Sequence, residues 1–101
     1  MLIYNITFNV ETLIEAEWLE WMKKVHIVEI LKTKYFSEHR ILRLINEHPD
    51  TLGTTYAVQL TAMNISDVQK YLANQGAVLQ QKLIAKFGQK VLLFMTLLEE
   101  V

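Results

Sequence analysis

The sequence has no cysteine, one proline and three glycines among its 101 residues. Without cysteine, the chain can form no disulfide, no thiolate metal site and no cysteine nucleophile. So little proline and glycine, together with a hydrophobic content of 51%, excludes a disordered or linker-like chain. The length suits one domain, so we expect residues 1–101 to form a single unit.

Neither sign of charge is in excess, because ten basic and eleven acidic residues give a formal net charge of −1. A nucleic-acid-binding surface usually shows as a basic excess or stripe, so no nucleic-acid partner is predicted. No stretch reaches the ~18 apolar residues of a membrane span. Residues 1–5 also lack the basic region of a signal peptide. We therefore expect a cytoplasmic protein with no membrane partner.

Four segments are predicted to be β-strands. Residues 2–10 alternate between two faces, and a period of two with β-branched and aromatic side chains is typical of a strand. The segments 39–46, 54–63 and 89–99 are also predicted strands. Residues 47–53, which include Pro49, Asp50 and Gly53, have the composition of a hairpin turn between the second and third strands.

Helical periodicity predicts two helices, over 13–32 and 66–87. Thr12 and Glu15 have the spacing of a capping box at the start of the first helix. Gly76 lies on the apolar side of the second helix. It therefore marks either a break in the helix or a close approach to the sheet.

The order β-α-β-β-α-β, with a hairpin in the middle, is the split βαβ pattern. Right-handed crossovers favour one antiparallel sheet in the strand order 4-1-3-2, with both helices on one face. We therefore predict an α+β, ferredoxin-like sandwich. The helix-facing side of the sheet should carry Tyr4, Ile6, Phe8, Tyr56, Val58 and Leu60.

The opposite face of the predicted sheet has a polar centre and an apolar edge. Asn5, Thr7, Asn9 and Gln59 lie at the centre, and the fourth strand is apolar on both faces. A small soluble protein seldom exposes such an apolar flank. Pairing two sheets face to face would cover it, so we predict a homodimer formed through the sheet face.

The first predicted helix has a carboxylate where apolar residues are expected. At about 100° per residue, Glu29 falls at the centre of the apolar face with Trp18 and Met22. His26 lies three residues before Glu29 and within its reach. Paired titratable groups beside aromatic residues are what a small acid/base site needs. We therefore name His26 and Glu29 as candidate catalytic residues, and Trp18, Met22 and Tyr56 as candidate ligand-binding residues.

Each of these residues also has a structural interpretation. Glu29 could reach water at the end of the helix, His26 could bond a backbone carbonyl, and Trp18 could belong to the core. If Tyr56 is buried, its hydroxyl needs a partner, which His26 or Glu29 could supply. His26 and Glu29 match only half of a Glu/His metal site, so no metal is predicted. No motif indicates a cofactor.

Several segments together resemble a small bacterial family. They are Ile3-Tyr4-Asn5-Ile6-Thr7, Glu17-Trp18-Leu19-Glu20-Trp21-Met22, His26-Ile27-Val28-Glu29, Thr55-Tyr56-Ala57-Val58-Gln59, Phe87-Gly88-Gln89-Lys90 and Thr96-Leu97-Leu98-Glu99. The family is known only as a domain of unknown function and is best represented in Bacteroides-type bacteria. The resemblance runs over nearly the whole chain. It implies a ferredoxin-like fold of the dimeric α/β-barrel kind, and no particular activity.

More distantly, the first helix is similar to helices in other dimeric α/β-barrel families. These include cofactor-free monooxygenases, small isomerases and ethyl tert-butyl ether degradation-type proteins. Such proteins often hold a small apolar ligand between helices and sheet, which is an analogy at the level of fold, and function does not follow from fold. Three functions therefore stay open. They are a homodimeric small-molecule-binding domain with a pocket between the first helix and the sheet, a cofactor-free enzyme using His26 and Glu29, and a structural dimerisation or interaction protein.

Overall fold

The computed structural model describes residues 1–49 and 51–101 and confirms the predicted α+β, ferredoxin-like fold. One antiparallel sheet contains β1 (Leu2–Val10), β2 (Glu38–Arg43), β3 (Thr54–Ala62) and β4 (Val91–Glu99). The strands lie in the order β2-β3-β1-β4, which is the predicted order read from the other edge. β1 and β3 are therefore central, and β2 and β4 are the edge strands.

Two helical segments pack on one face of the sheet. The first consists of a 3-10 turn (Thr12–Ile14), α1 (Glu15–Trp21), a π-helical turn (Met22–His26) and α2 (Ile27–Lys32). The second consists of α3 (Ile65–Ala73) and α4 (Gln75–Phe87), followed by a 3-10 turn (Gly88–Lys90). None of the helices in the described residues has the length and apolar character needed to span a membrane.

The core lies between the helices and the inner face of the sheet. Burial alternates along β1 and β3 because successive side chains of a strand point to opposite faces. All six sheet residues predicted to face the helices are buried, as expected. The helices contribute large apolar side chains to this core, and Trp18, Met22 and Ile30 are almost completely buried.

The second helix is not continuous as predicted, because it breaks at Asn74. The backbone of Asn74, with φ −120° and ψ −102°, lies outside the helical region. Gly76 then packs against Tyr71, and a Cβ added to Gly76 would lie only 2.6 Å from the Cε2 atom of Tyr71. The glycine therefore marks a close approach as well as a break, but the approach is to an aromatic ring and not to the sheet.

The hairpin between β2 and β3 begins earlier than predicted, because β2 ends at Arg43 and not at residue 46. Asp50, which the sequence places in the turn, lies outside the described residues. Gly53 ends the loop with φ +73°, and a Cβ there would overlap the carbonyl group of Val10. This position therefore requires glycine, because the loop crosses the end of β1 at very short range.

The outer face of the sheet is apolar along β4. Leu92, Phe94 and Leu98 have exposed fractions of 62%, 63% and 42%. At the polar centre, the Asn5 and Gln59 side chains form a hydrogen bond of 3.4 Å. The predicted pattern of a polar centre and an apolar flank is therefore present in the described structure.

Candidate functional site

The π-helical turn Met22–His26 shifts the core-facing side of the first helical segment by one residue. Hydrogen bonds in such a turn join residues five apart, so the turn accommodates one extra residue. Ile30 takes the buried position that a regular helix would give to Glu29, and His26 takes that of Val25. The exposed fraction is 1% for Ile30 and 5% for His26, but 38% for Val25.

Glu29 lies at the rim of the helix layer, so the prediction that it faces the core is wrong. Its side chain is 36% exposed, and its Oε2 accepts a hydrogen bond of 3.2 Å from the ammonium group of Lys82. Lys82 belongs to α4, so this ion pair connects the two helical segments. An ion pair this exposed adds at most about 1 kcal/mol to stability.

His26 is a buried imidazole that stacks on Trp21. Within residues 1–49 and 51–101 the ring makes no hydrogen bond, but its nitrogen atoms are not among the fully buried polar atoms that lack a partner, which are Trp18 Nε1 and Glu47 Oε2. Burial lowers the pKa of His26 to about 4, against the opposing effect of the Glu29 carboxylate, and Lys82 adds to the lowering. The ring is therefore neutral at pH 7, with one donor nitrogen and one acceptor nitrogen.

A narrow space beside His26, the His26 cleft, lies between the helical segments and strands β1 and β4. Its volume of about 20 Å³ is room for one water molecule. Tyr4, Tyr71, Gln80 and Met95 contribute polar or polarisable atoms to its walls, and the other lining residues are mainly apolar. The cleft therefore combines an apolar surface with a few polar groups, but it is much smaller than the roughly 300–1,000 Å³ of a typical small-molecule site.

The two tyrosines of the His26 cleft are held in their protonated form. Burial raises the pKa of Tyr4 to about 12 and also raises the pKa of Tyr71. The hydroxyl of Tyr4 donates to the sulfur atom of Met95. The Tyr71 hydroxyl makes no hydrogen bond in the described part of the chain.

The predicted ligand-binding residues Trp18, Met22 and Tyr56 are brought together, but they fill the space where we expected a pocket. The exposed fractions of Trp18 and Met22 are 0%, and that of Tyr56 is 3%. The Trp18 ring packs against Phe8 and Tyr56, with centroid distances of 5.1 and 5.0 Å. None of the three predicted residues lines the His26 cleft. The open space therefore lies nearer to β4 than the sequence indicates.

The hydroxyl of Tyr56 has a partner, but it is neither His26 nor Glu29. It donates to the Oε2 atom of Glu15 at 2.5 Å, and the hydroxyl of Thr54 donates to Oε1 at 2.9 Å. The bond from Tyr56 is the main reason that the pKa of Glu15 is lowered. Burial, with Glu15 as a second cause, raises the pKa of Tyr56 to about 12.

The predicted capping box is not formed. No side chain caps the 3-10 turn Thr12–Ile14 or the start of α1. Glu15 instead connects the start of α1 to β3 through its two hydrogen bonds. A capping box and a bond to a neighbouring strand both need a carboxylate at the start of a helix, so the sequence alone does not distinguish them.

Among the polar or polarisable residues of the His26 cleft, only His26 was predicted as a site residue, and four were missed, namely Tyr4, Tyr71, Gln80 and Met95. Gly76 was the available signal, because a glycine on the apolar side of a helix allows another group to approach closely, as the Tyr71 ring does. No three imidazole or carboxylate side chains within the described ranges come together as a metal site.

Comparison with known families decides where this chain belongs. The model of one family, a domain of unknown function called DUF4286, matches residues 1–101. The chain belongs to the DUF4286 family. This confirms the predicted membership of a family of unknown function, and the family's description names no activity. No curated protein matches this DUF4286 chain.

Two solved structures have the same fold as this DUF4286 chain. An ethyl tert-butyl ether d (EthD) family protein from Bacillus halodurans has a TM-score of 0.74 and 15% sequence identity, with 100% of both chains covered. A candidate antibiotic biosynthesis monooxygenase from Deinococcus radiodurans has a TM-score of 0.58 and 19% identity, with 100% of this chain and 93% of that chain covered. At such low identity, the likeness shows the fold alone.

Proposed function

We propose that this domain binds a small, uncharged and largely apolar ligand in the His26 cleft. One observation carries the proposal. The imidazole of His26 and the hydroxyl of Tyr71 line the same cleft, and neither makes a hydrogen bond to another described residue. Most buried polar groups in proteins have a hydrogen-bond partner. These two groups lack a protein partner and are not sealed from the cleft, so each can bond to a ligand or to a water molecule there.

The protonation states favour a neutral ligand. With a pKa of about 4, His26 carries no charge at pH 7. The phenol groups of Tyr4 and Tyr71 are neutral as well, since the ordinary pKa of tyrosine lies well above 7 and burial raises the pKa of both groups further. A charged ligand group would lose its hydration without gaining a counter-charge in the cleft. A phenol or a small alcohol, whose hydroxyl can both donate and accept, matches the neutral imidazole.

Entry of a ligand larger than water requires movement at the rim of the cleft. Met95 lies on the edge strand β4 and is 44% exposed, and its unbranched thioether side chain adapts easily. Gln80, on α4, is only partly buried. Displacement of these two side chains would enlarge the cleft while the core around Ile30 stays in place.

The geometry supports binding better than acid/base catalysis by His26 and Glu29. Glu29 does not line the His26 cleft, and its carboxylate is engaged by Lys82. A ligand in the cleft would therefore contact the imidazole without contacting the carboxylate.

Titration with phenol, followed by NMR, tests the proposal. We expect saturable shifts of the Met95 methyl group and of the His26 ring signals. His26→Leu should weaken binding by about tenfold, because one buried hydrogen bond contributes about 1–1.5 kcal/mol. His39→Leu is the matched control, since His39 is exposed on β2. Equal affinity of wild type and His26→Leu, or no saturable shift, would contradict the proposal.

We also propose that two copies of the chain pair through the outer face of the sheet. Leu42 on β2 and Phe94 on β4 are 44% and 63% exposed on this face. Between residues 91 and 98 the edge strand β4 has no charged side chain, and charge is a common protection of strand edges. A second copy would offer the same apolar surface around a twofold axis.

A further inference from the structure

A larger depression, here called the α2–α4 groove, lies between the end of α2 and the start of α4. Its volume is about 470 Å³, which lies in the range of small-molecule sites. Its lining residues include Lys32 and Thr33 at the end of α2, Asn74 between α3 and α4, and Val78 and Leu79 on α4. The groove is separate from the His26 cleft, because the two share no lining residue.

The side of the groove formed by α4 is apolar except for Gln75, the first residue of that helix. Val78 is 55% exposed, and the adjacent Leu79 is 5% exposed and belongs to the core. An apolar ligand chain lying against Val78 would remove the exposed part of that side chain from water. Burial of this kind contributes about 25 cal/mol for each Å² of apolar surface.

The rim of the groove has one unbalanced positive charge. Glu29 also lines the groove, but its carboxylate is bonded to Lys82 at 3.2 Å. Lys32 forms no ion pair with any residue in 1–49 or 51–101. An apolar wall next to an unpaired ammonium group is complementary to a molecule with an apolar body and an anionic end.

We infer that the α2–α4 groove binds a small amphipathic carboxylate, with its carboxylate at Lys32 and its apolar chain along Val78. This inference goes beyond the proposed function, because it concerns a different site and a ligand of different charge. It also gives Glu29 a role at this site, since its ion pair with Lys82 leaves the charge of Lys32 free to act on a ligand.

Octanoate and octanol form a matched pair of probes, because they share the apolar chain and differ in charge. In an NMR titration, octanoate should produce saturable shifts of the Val78 methyl groups and the Lys32 amide, and octanol should bind more weakly. Lys32→Gln should weaken octanoate binding by about threefold to fivefold, as expected for a partly exposed ion pair. It should leave octanol binding unchanged. Lys23→Gln removes an exposed lysine outside the groove and should leave both affinities unchanged.

Two further variants separate the sites. Val78→Ser should weaken binding of both probes, whereas His26→Leu should leave octanoate binding unchanged while it weakens binding of phenol. The inference is wrong if no saturable shift appears at Val78 below about 10 mM octanoate, the limit of weak specific binding. Equal octanoate affinity of wild type and Lys32→Gln would also overturn it, as would shifts confined to the outer sheet face around Phe94.

Discussion

The indole ring of Trp21 lies against the imidazole ring of His26, with the ring centroids 4.8 Å apart and an angle of 25° between the planes. Residues five apart in a regular α-helix point about 140° away from each other, so they do not stack. The π-helical turn Met22–His26 brings the two rings to the same side. Phe87 packs edge-on against Trp21, and the stack is therefore held in an apolar environment.

This environment predicts that acid destabilises the fold through His26. The pKa of His26 is about 4 in the folded state and the ordinary pKa of an exposed histidine is 6.5, so the unfolded chain binds the proton first as the pH falls. The contribution of His26 to stability is therefore complete above pH 6.5, falls as the pH drops to about 4, and is constant below that. The difference between the two pKa values corresponds to about 3 kcal/mol.

Urea unfolding at several pH values between 7 and 4 measures this effect. Between pH 7 and pH 4, the free energy of unfolding of His26→Gln should fall by about 3 kcal/mol less than that of wild type, because glutamine does not titrate. His39→Gln removes an exposed imidazole on β2 and should follow the wild-type profile. If His26→Gln and wild type lose the same stability, the imidazole is not held neutral by burial.

The bond between Tyr56 and Glu15 predicts a measurable coupling between helix and sheet. Tyr56→Phe should lower the free energy of unfolding by about 1–2 kcal/mol, because it leaves a carboxylate without its phenol donor. Glu15→Gln should then lower the free energy of unfolding much less in the Tyr56→Phe variant than in the wild-type protein. A double-mutant cycle measured by urea unfolding gives this coupling.

The control for this cycle is Tyr35→Phe. Tyr35 is half-buried, and its hydroxyl makes no hydrogen bond to the rest of the described chain. Its loss should change the free energy of unfolding by only a few tenths of a kcal/mol, within the usual range of such substitutions. A coupling energy between Tyr56 and Glu15 near zero would contradict the prediction.

Gly76→Ala should destabilise the protein although alanine is the better helix former. In a helix interior alanine is more favourable than glycine by about 1 kcal/mol, because glycine loses more backbone entropy when it becomes helical. The added methyl group, however, would lie 2.6 Å from Cε2 and 2.8 Å from the carbonyl oxygen of Tyr71. Such overpacking costs about 1–3 kcal/mol, so we expect a net loss. Thermal unfolding measures it, and a rise in the melting temperature would show that the Tyr71 ring moves freely.

The proposed sheet-face dimer predicts a change of molecular mass in one variant. Phe94→Glu places a charge on the apolar outer face. If a homodimer covers this face, the substitution should raise its dissociation constant by at least tenfold. Analytical ultracentrifugation at micromolar concentration measures this. Ile84→Glu is the control, because Ile84 is also 50% exposed but belongs to α4 on the other side of the sheet. A wild-type protein that sediments as a monomer would exclude the dimer.

The sequence predicts the sheet well because the alternation of residues within each strand shows which side chains share a face. Alternation along β1 and β3 depends only on the period of two in a strand, and the six residues predicted for the inner face of these two strands are all buried. The strand order follows from the order of elements and the handedness of crossovers. These are general properties of polypeptide chains, and no detail of packing is needed to apply them.

The candidate site was less predictable, because its geometry depends on one inserted residue. The 100° period of an α-helix places Glu29 on the core face, and the π-helical turn displaces it to the rim. No sequence pattern in residues 22–26 predicts such a turn. Met22 and His26 are both buried, so the turn depends on tertiary packing that the local sequence does not show. His26 lines the cleft, but its neighbours there come from β1, α2, α3, α4 and β4, which only the folded chain brings together.

The pairing of β1 with β4 has a consequence for the speed of folding. Leu2 lies opposite Glu99, and the register continues to Val10 opposite Val91, so these contacts join residues about as far apart along the chain as its length allows. Formation of this ladder closes a loop that contains nearly the whole chain, and the entropy of closing that loop opposes it. The α-helical segments can form by local contacts within microseconds, whereas closure of the β1–β4 edge belongs to the slower, non-local class of events. The pairing of β4 with β1 should therefore limit the rate of refolding.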